Sequence, residues 1–217
     1  MTAPPLGVVV LVSGRGSNMV ALAKAGLEGR IPARVTAVIS DRADAPGLER
    51  ARELGIAASV VPPSSHPGRA AYGEALATAV AASDPGLVAL AGFMRILDSG
   101  FVRRYEGRMF NVHPSLLPAY PGLHTHRRVL EAGDRVHGCT VHFVTEELDA
   151  GPAVLQARVP VLPDDTEGSL SARVQRWEHR IYPEAVGWFA EGRLRWQDDA
   201  AWLDGRRLEQ PVQRGET

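Results

Sequence analysis

Short runs of β-branched and aliphatic residues punctuate the first half of the chain, at residues 7–12, 34–40, 58–62, 87–91 and 109–112. Each is bounded by Gly, Pro, Asp or Ser, and most are continuously apolar rather than alternating, the pattern of a strand buried on both faces. Between them lie Ala- and Leu-rich segments with helix punctuation: 19–27, 46–54 stopped by Gly55, and 68–82 ended by Ser83, Asp84 and Pro85. The alternation predicts a parallel sheet with right-handed helical crossovers. Ligands of such a sheet collect at the carboxyl ends of its strands.

After Val112 the pattern breaks into a stiff, proline-rich stretch, HPSLLPAYPGLH, followed by a short helix through Arg127 and Leu130 that Gly133 closes. Residues 137–145 and 153–161 read as longer strands on either side of a turn at 148–152, antiparallel to one another, which makes the sheet mixed. A long helix over 167–191 carries Leu170, Val174, Trp177, Ile181 and Ala185 on one stripe, bends near Pro183 and ends at Gly192. Residues 210–217 are polar enough to be disordered, leaving about 6–208 ordered. With no repeat, low-complexity tract or linker, the chain reads as one α/β domain: a mostly parallel mixed sheet flanked by helices, with a long C-terminal helix.

Composition narrows the partners. Across 217 residues, Lys and Arg number 24 against 25 Asp and Glu, a net charge of −1 that gives no global attraction to nucleic acid or anionic membranes. Any anion must be held by a local site. The lone Cys139 forms no internal disulfide, the N-terminal residues lack the basic start of a secretory signal, and no stretch reaches the roughly 18–20 apolar residues of a membrane span. These point to a cytoplasmic protein.

Three motifs carry chemistry. GRGSN, at residues 14–18, stands between the first strand and the first helix, where backbone N–H groups and the helix dipole favour a phosphate. Met19 replaces the third glycine of a dinucleotide fingerprint, and no Lys-Ser/Thr pair follows, which favours a single phosphate over pyrophosphate. The same residues also fit a plain glycine turn with Ser17 or Asn18 capping the helix. In NVHPSLLP, Asn111 and His113 alternate along an extended segment and so leave one face of the sheet together. A carboxamide and an imidazole there can bind an oxyanion and handle a proton, as acyl transfer requires, or merely satisfy backbone groups at a Pro-rich turn. Neither Ser115 nor Cys139 has an evident activating partner, so a covalent acyl-enzyme is disfavoured. Asp149, in ELDAGP, is either a carboxylate that fixes the tautomer of His113 or an ordinary turn residue.

Glu178 sits on the border of the long helix's apolar stripe, four residues after Val174 and three before Ile181, facing a pocket or paired with Arg173 or Arg176. His124 and His126 lack the spacing of common zinc sites. His66, His137, His142 and His179 read as surface or packing residues, the four tryptophans as packing residues, Arg127 and Arg128 as a solvated helix face, and Asp41 as a helix cap.

With these motifs in order, the chain resembles the phosphoribosylglycinamide formyltransferases through VVVLVSGRGSN, DAPGLERA, LAGFMRIL, NVHPSLLPAYPGLHTHR, HGCTVHFVTEELDAGP, EHRIYP and AAWLDGRRL. The resemblance implies a single-domain, Rossmann-like formyltransferase fold, with a phosphate-binding half at about 6–105 and a folate and catalytic half at about 106–208. It implies formyl transfer from 10-formyltetrahydrofolate, as co-substrate, to 5-phosphoribosylglycinamide, without a metal, by a monomer or homodimer. Carried over by motif, Gly16, Ser17, Asn18 and Glu178 bind the ribonucleotide. Arg69, Met94, Arg95, Ile96, Leu97, Asn111, Thr145, Glu146, Glu147, Leu148 and Asp149 bind the folate, and Asn111, His113 and Asp149 are catalytic. Ala150 and Cys139 depart from the pattern, standing where a second glycine and a small hydroxyl residue are expected. Rival readings each predict something different: a formyltetrahydrofolate hydrolase an extra N-terminal domain, a methionyl-tRNA formyltransferase a basic C-terminal domain and RGA in place of YPGLH. A nucleotide-sensing module leaves Asn111, His113 and the stiff loop unexplained.

Overall fold

A computed structural model describes residues 4–216. The apolar runs become β1 (Leu6–Val12), β2 (Ala33–Ser40), β3 (Ala57–Val60), β4 (Leu87–Leu90) and β5 (Met109–His113), all parallel. The helices between them are α1 (Ser17–Leu27), α2 (Pro46–Glu53), α3 (Gly68–Ala81) and the short α4 (Ser99–Arg104), which the pattern of hydrophobic positions does not reveal. Then follow α5 (Thr125–Ala132), closed by Gly133 in the left-handed conformation, β6 (Val136–Phe143), β7 (Ala153–Pro160) and α6 (Glu167–Ala190). β6 runs antiparallel to both β5 and β7, giving the mixed sheet.

Every residue of β1 from Val8 to Val12 is buried because the sheet is covered on both sides. Val8, Val10 and Val12 pack with Met19 and Leu22 of α1 and with Val174, Ile181 and Ala185 of α6. Val9 and Leu11 point the other way, toward Tyr72 and Leu76 of α3 and Phe101 of α4. This alternation is the pleat read in three dimensions. α6 opens on a reciprocal capping box between Thr166 and Ser169 and runs through Pro183 as one helix. From its buried stripe the Tyr182 hydroxyl donates to the carbonyls of Leu90 and Phe110, at 3.0 and 3.1 Å, fastening the helix beneath β4 and β5.

The strand order is β11-β7-β6-β5-β4-β1-β2-β3, where β11 is Val212–Gly215. The chain leaves β1 toward β2 and β3, then returns on its other side to β4, so a crevice opens between the carboxyl ends of β1 and β4. Two expectations are corrected. The stretch at 210–217 is not a loose tail: Val212–Gly215 pairs in parallel with β7, whose unpaired edge supplies the ladder that polar residues alone do not specify (Thr217 lies outside the described residues). A three-stranded sheet of β8 (Leu194–Gln197), β9 (Ala200–Leu203) and β10 (Arg206–Arg207) follows α6, its turns made by Asp198, Asp199 and Asp204 at positive φ.

Candidate active site

The crevice widens into a cleft of about 790 Å³, and every candidate residue named from the sequence except Arg69 lines it. Arg69 lies beside it and donates to the carbonyl of Leu97 at 2.9 Å, supporting the wall from behind.

At one end is the turn after β1. Gly16 caps α1 in the left-handed conformation, φ 68°, and a Cβ there would come within 2.9 Å of the Gly47 Cα. Gly47 in turn donates its N–H to the carbonyl of Gly14 at 2.9 Å. Two glycine backbones in contact therefore hold the turn shut, and no side chain caps α1. Ser17 and Asn18 do not serve as the caps the sequence allowed, which leaves the first-turn N–H groups open for an anion. Asn18 instead donates to the Glu178 carboxylate at 2.7 Å. That carboxylate is buried, and burial pushes its pKa up while the Asn18 bond pulls it down. Neither arginine offered as its partner is used, since Arg173 is bound to Asp165.

Along the side, the strand-end carbonyl-rich segment after β4 is pinned by Ser13, whose hydroxyl accepts the Met94 N–H at 2.8 Å. Met94, Ile96, Leu123 and Leu148 all stand more than half exposed around the mouth. Large apolar groups gathered on one concavity mark a ligand surface. Arg95 reaches back to Asp41, Nε to Oδ2 2.9 Å. Asp41 is thus an ion-pair partner and not a cap; α2 is capped by Ala45, without a side-chain bond.

At the far end β5 delivers Asn111 and His113 to the same face. The His113 Nε2 lies 3.0 Å from the Tyr120 carbonyl, which accepts and so places a hydrogen on that nitrogen. Its Nδ1 faces Asp149 Oδ2 at 3.5 Å, with both side chains 7 % exposed. Asp149, at φ 54°, also accepts the Gly122 N–H at 2.8 Å, tying the loop at 145–149 to the proline-rich loop. That second loop is further fixed by Arg128, which donates to the Pro121 carbonyl and so is more than a solvated cation.

His142, assigned from the sequence to packing, belongs to this cluster. The antiparallel register sets it opposite Asn111, and its Nε2 lies 3.2 Å from the Asn111 amide nitrogen. Its Nδ1–H donates to the Phe143 carbonyl at 2.8 Å, and burial pushes its pKa down to about 4. A neutral ring with a free Nε2 accepts from the amide and leaves the second Asn111 N–H turned to the cleft. The signal was present only in strand register, which residue spacing does not reveal. His137 is likewise buried, its Nε2 3.0 Å from His126 Nδ1, and burial pushes it down to about 4. The Cys139 thiol is buried and raised well above its ordinary pKa, so it supplies no thiolate. Among the described residues no group of three or more His, Cys, Asp or Glu is arranged to hold a metal.

Residues 6–186 match the family model for formyl transferases. The chain is 54% identical over 203 residues to the phosphoribosylglycinamide formyltransferase of Escherichia coli, covering 94% of this chain and 96% of that one. It is 43% identical over 185 residues to the human trifunctional purine biosynthetic protein adenosine-3, matching 85% of this chain and 18% of that longer protein. The solved phosphoribosylglycinamide formyltransferase of Coxiella burnetii superposes with a TM-score of 0.93 at 46% identity, covering 97% of this chain and 99% of the other.

Proposed function

The chain belongs to the formyl transferase family as one of its phosphoribosylglycinamide formyltransferases, and from that premise we propose how the cleft performs the reaction. The protein transfers the formyl group of 10-formyltetrahydrofolate to the amine of 5-phosphoribosylglycinamide, giving the formylglycinamide ribonucleotide and tetrahydrofolate in purine biosynthesis.

The phosphate sits at the N-terminus of α1, on the backbone of Gly16, Ser17 and Asn18, and Glu178 takes the ribosylglycinamide beside it. The folate lies along Met94, Ile96 and Leu97, with Arg69 and Arg95 behind, and reaches Asn111 and residues 145–149. The two substrates then meet at the end of β5. The neutral amine attacks the formyl carbon and forms the new C–N bond, and the carbonyl oxygen becomes an oxyanion. The free Asn111 N–H and His113 stabilise that oxygen, while Asp149, facing Nδ1, gives positive charge developing on the ring a partner. The amine proton passes through His113 to the folate nitrogen as the old C–N bond breaks. The convergence of Asn111, His113, Asp149 and His142 between a phosphate turn and an apolar wall carries this reading.

All of these groups come from one chain, which acts as one domain in a monomer or homodimer on small molecules alone, without nucleic acid or membrane, in the cytoplasm. The phosphate turn lies in residues 6–105 and the chemistry in 106–208. No helix among the described residues is long and apolar enough to cross a membrane. Tetrahydrofolate release measured with phosphoribosylglycinamide, with water alone and with methionyl-tRNA tests the acceptor. Release is expected with the first; equal release with either of the others overturns the reading.

A further inference from the structure

The ion pair beneath the folate wall is asymmetric. The Asp41 side chain is 2 % exposed, whereas that of Arg95 is 51 % exposed and lines the cleft. Asp41 stands one residue past β2, where Ser40 holds the turn by accepting the Arg42 N–H at 3.0 Å. Arg42, the neighbouring cation, turns away to Asp44 at 2.8 Å and does not compete. Arg95 is thus the cation that answers this buried carboxylate, through Nε alone. The other oxygen, Oδ1, is buried with no donor among the described residues, and so is the hydroxyl of Tyr72 on α3. Burial first, and then the Asp41 charge, push the Tyr72 phenol up to about 12, so it stays neutral and no second charge is placed there.

An arginine side chain free in water samples many rotamers and must be ordered when a ligand arrives. Held by Nε on a rigid carboxylate, the guanidinium keeps its plane fixed and its four Nη hydrogens unspent. We propose that Asp41 is a positioning residue that pre-orders Arg95, so that the guanidinium meets the folate without the loss of freedom that binding otherwise imposes. Asp41 touches neither substrate. The proposal rests on the reading of Arg95 as part of the folate wall.

The test is a double-mutant cycle of Asp41→Ala and Arg95→Ala, with KM for both substrates, kcat, the Kd of tetrahydrofolate by direct titration, and a thermal melt of every variant. Asp41→Ala is expected to raise the folate KM and the tetrahydrofolate Kd about five- to tenfold, with kcat and the phosphoribosylglycinamide KM within about twofold. Asp41→Asn keeps an acceptor for Nε and is expected to recover most of the affinity. On the Arg95→Ala background, Asp41→Ala should add nothing. An equal added loss on that background overturns the positioning role, since Asp41 then acts without Arg95. An Arg95→Ala variant with unchanged folate affinity removes the folate-wall reading and the proposal with it; an affected Arg95→Ala beside a silent Asp41→Ala removes the proposal alone. Should Asp41→Ala fail to fold, Asp41→Ser, too short to reach Nε, takes its place in the cycle with the same expected values.

Discussion

The two ends of the cleft are built by different means. The phosphate turn is backbone: Gly16 and Gly47 in contact, N–H groups at a helix start, and no side-chain cap. The catalytic end is side chain: Asn111, His113, His142 and Asp149 arrive from two strands and two loops and fix one another's orientation. A backbone site is specified within a few consecutive residues and is rigid before any ligand comes. A side-chain site depends on strand register and loop closure, so each member can fail separately and the failure appears in rate rather than in affinity.

Replacing Asp149 by Asn is the sharpest test of that contrast. Asn keeps an oxygen for the Gly122 N–H, so the loop stays tied, but the charge facing His113 is gone. The expected outcome is a kcat lower by about 10²–10³ with the folate KM within about threefold; undiminished turnover removes Asp149 from the mechanism. Gly16→Ala probes the other end. A Cβ 2.9 Å from Gly47 at φ 68° forces the turn open, costing about 1–3 kcal/mol of stability. The KM for phosphoribosylglycinamide should rise about tenfold while kcat changes little, and a loss confined to kcat would break the division between the two ends.

His142→Phe carries a smaller effect on rate, about tenfold or less, because Asn111 keeps its place on β5 and loses only the acceptor that turns its amide. Its clearer signature is in acid. His142 and His137 are both held near 4, below the ordinary 6.5, so the unfolded chain binds more protons than the folded one between those values. Their stability contribution is complete above pH 6.5 and is lost as pH falls toward 4, on the order of 3 kcal/mol for each at about 1.4 kcal/mol per unit. Melting temperature followed from pH 7 to pH 4 should therefore fall, and fall less steeply in His142→Phe. Parallel curves would show that the buried ring does not carry that acid sensitivity.

What the sequence disclosed follows the same division. The GRGSN turn, the parallel strands and the Asn111–His113 pair are local patterns, and Glu178 was marked by its place on a helical stripe. His142 was missed because its partner lies 31 residues away across an antiparallel pair, and a period-2 pattern does not state its register. Asp41 looked like a cap because its ion partner is 54 residues distant. α4 is only six residues, begun by the Asp98 side chain accepting from Gly100, too short for a hydrophobic period to show. β11 reads VQRG, with one aliphatic residue, and becomes a strand because β7 offers it a ladder.

That last strand also governs how copies of this protein meet one another. β7 is buried along most of its length and mainly aliphatic, and β11 occupies its outer row of N–H and C=O groups. β11 itself is short, carries Arg214, and bends at Gly215. A chain cut at residue 210 would keep every catalytic group and yet present the bare edge of β7 to its neighbours, an open seam inviting strand addition between molecules. Those polar residues act as a selvage on the sheet, and solubility in concentrated solution depends on their staying in place.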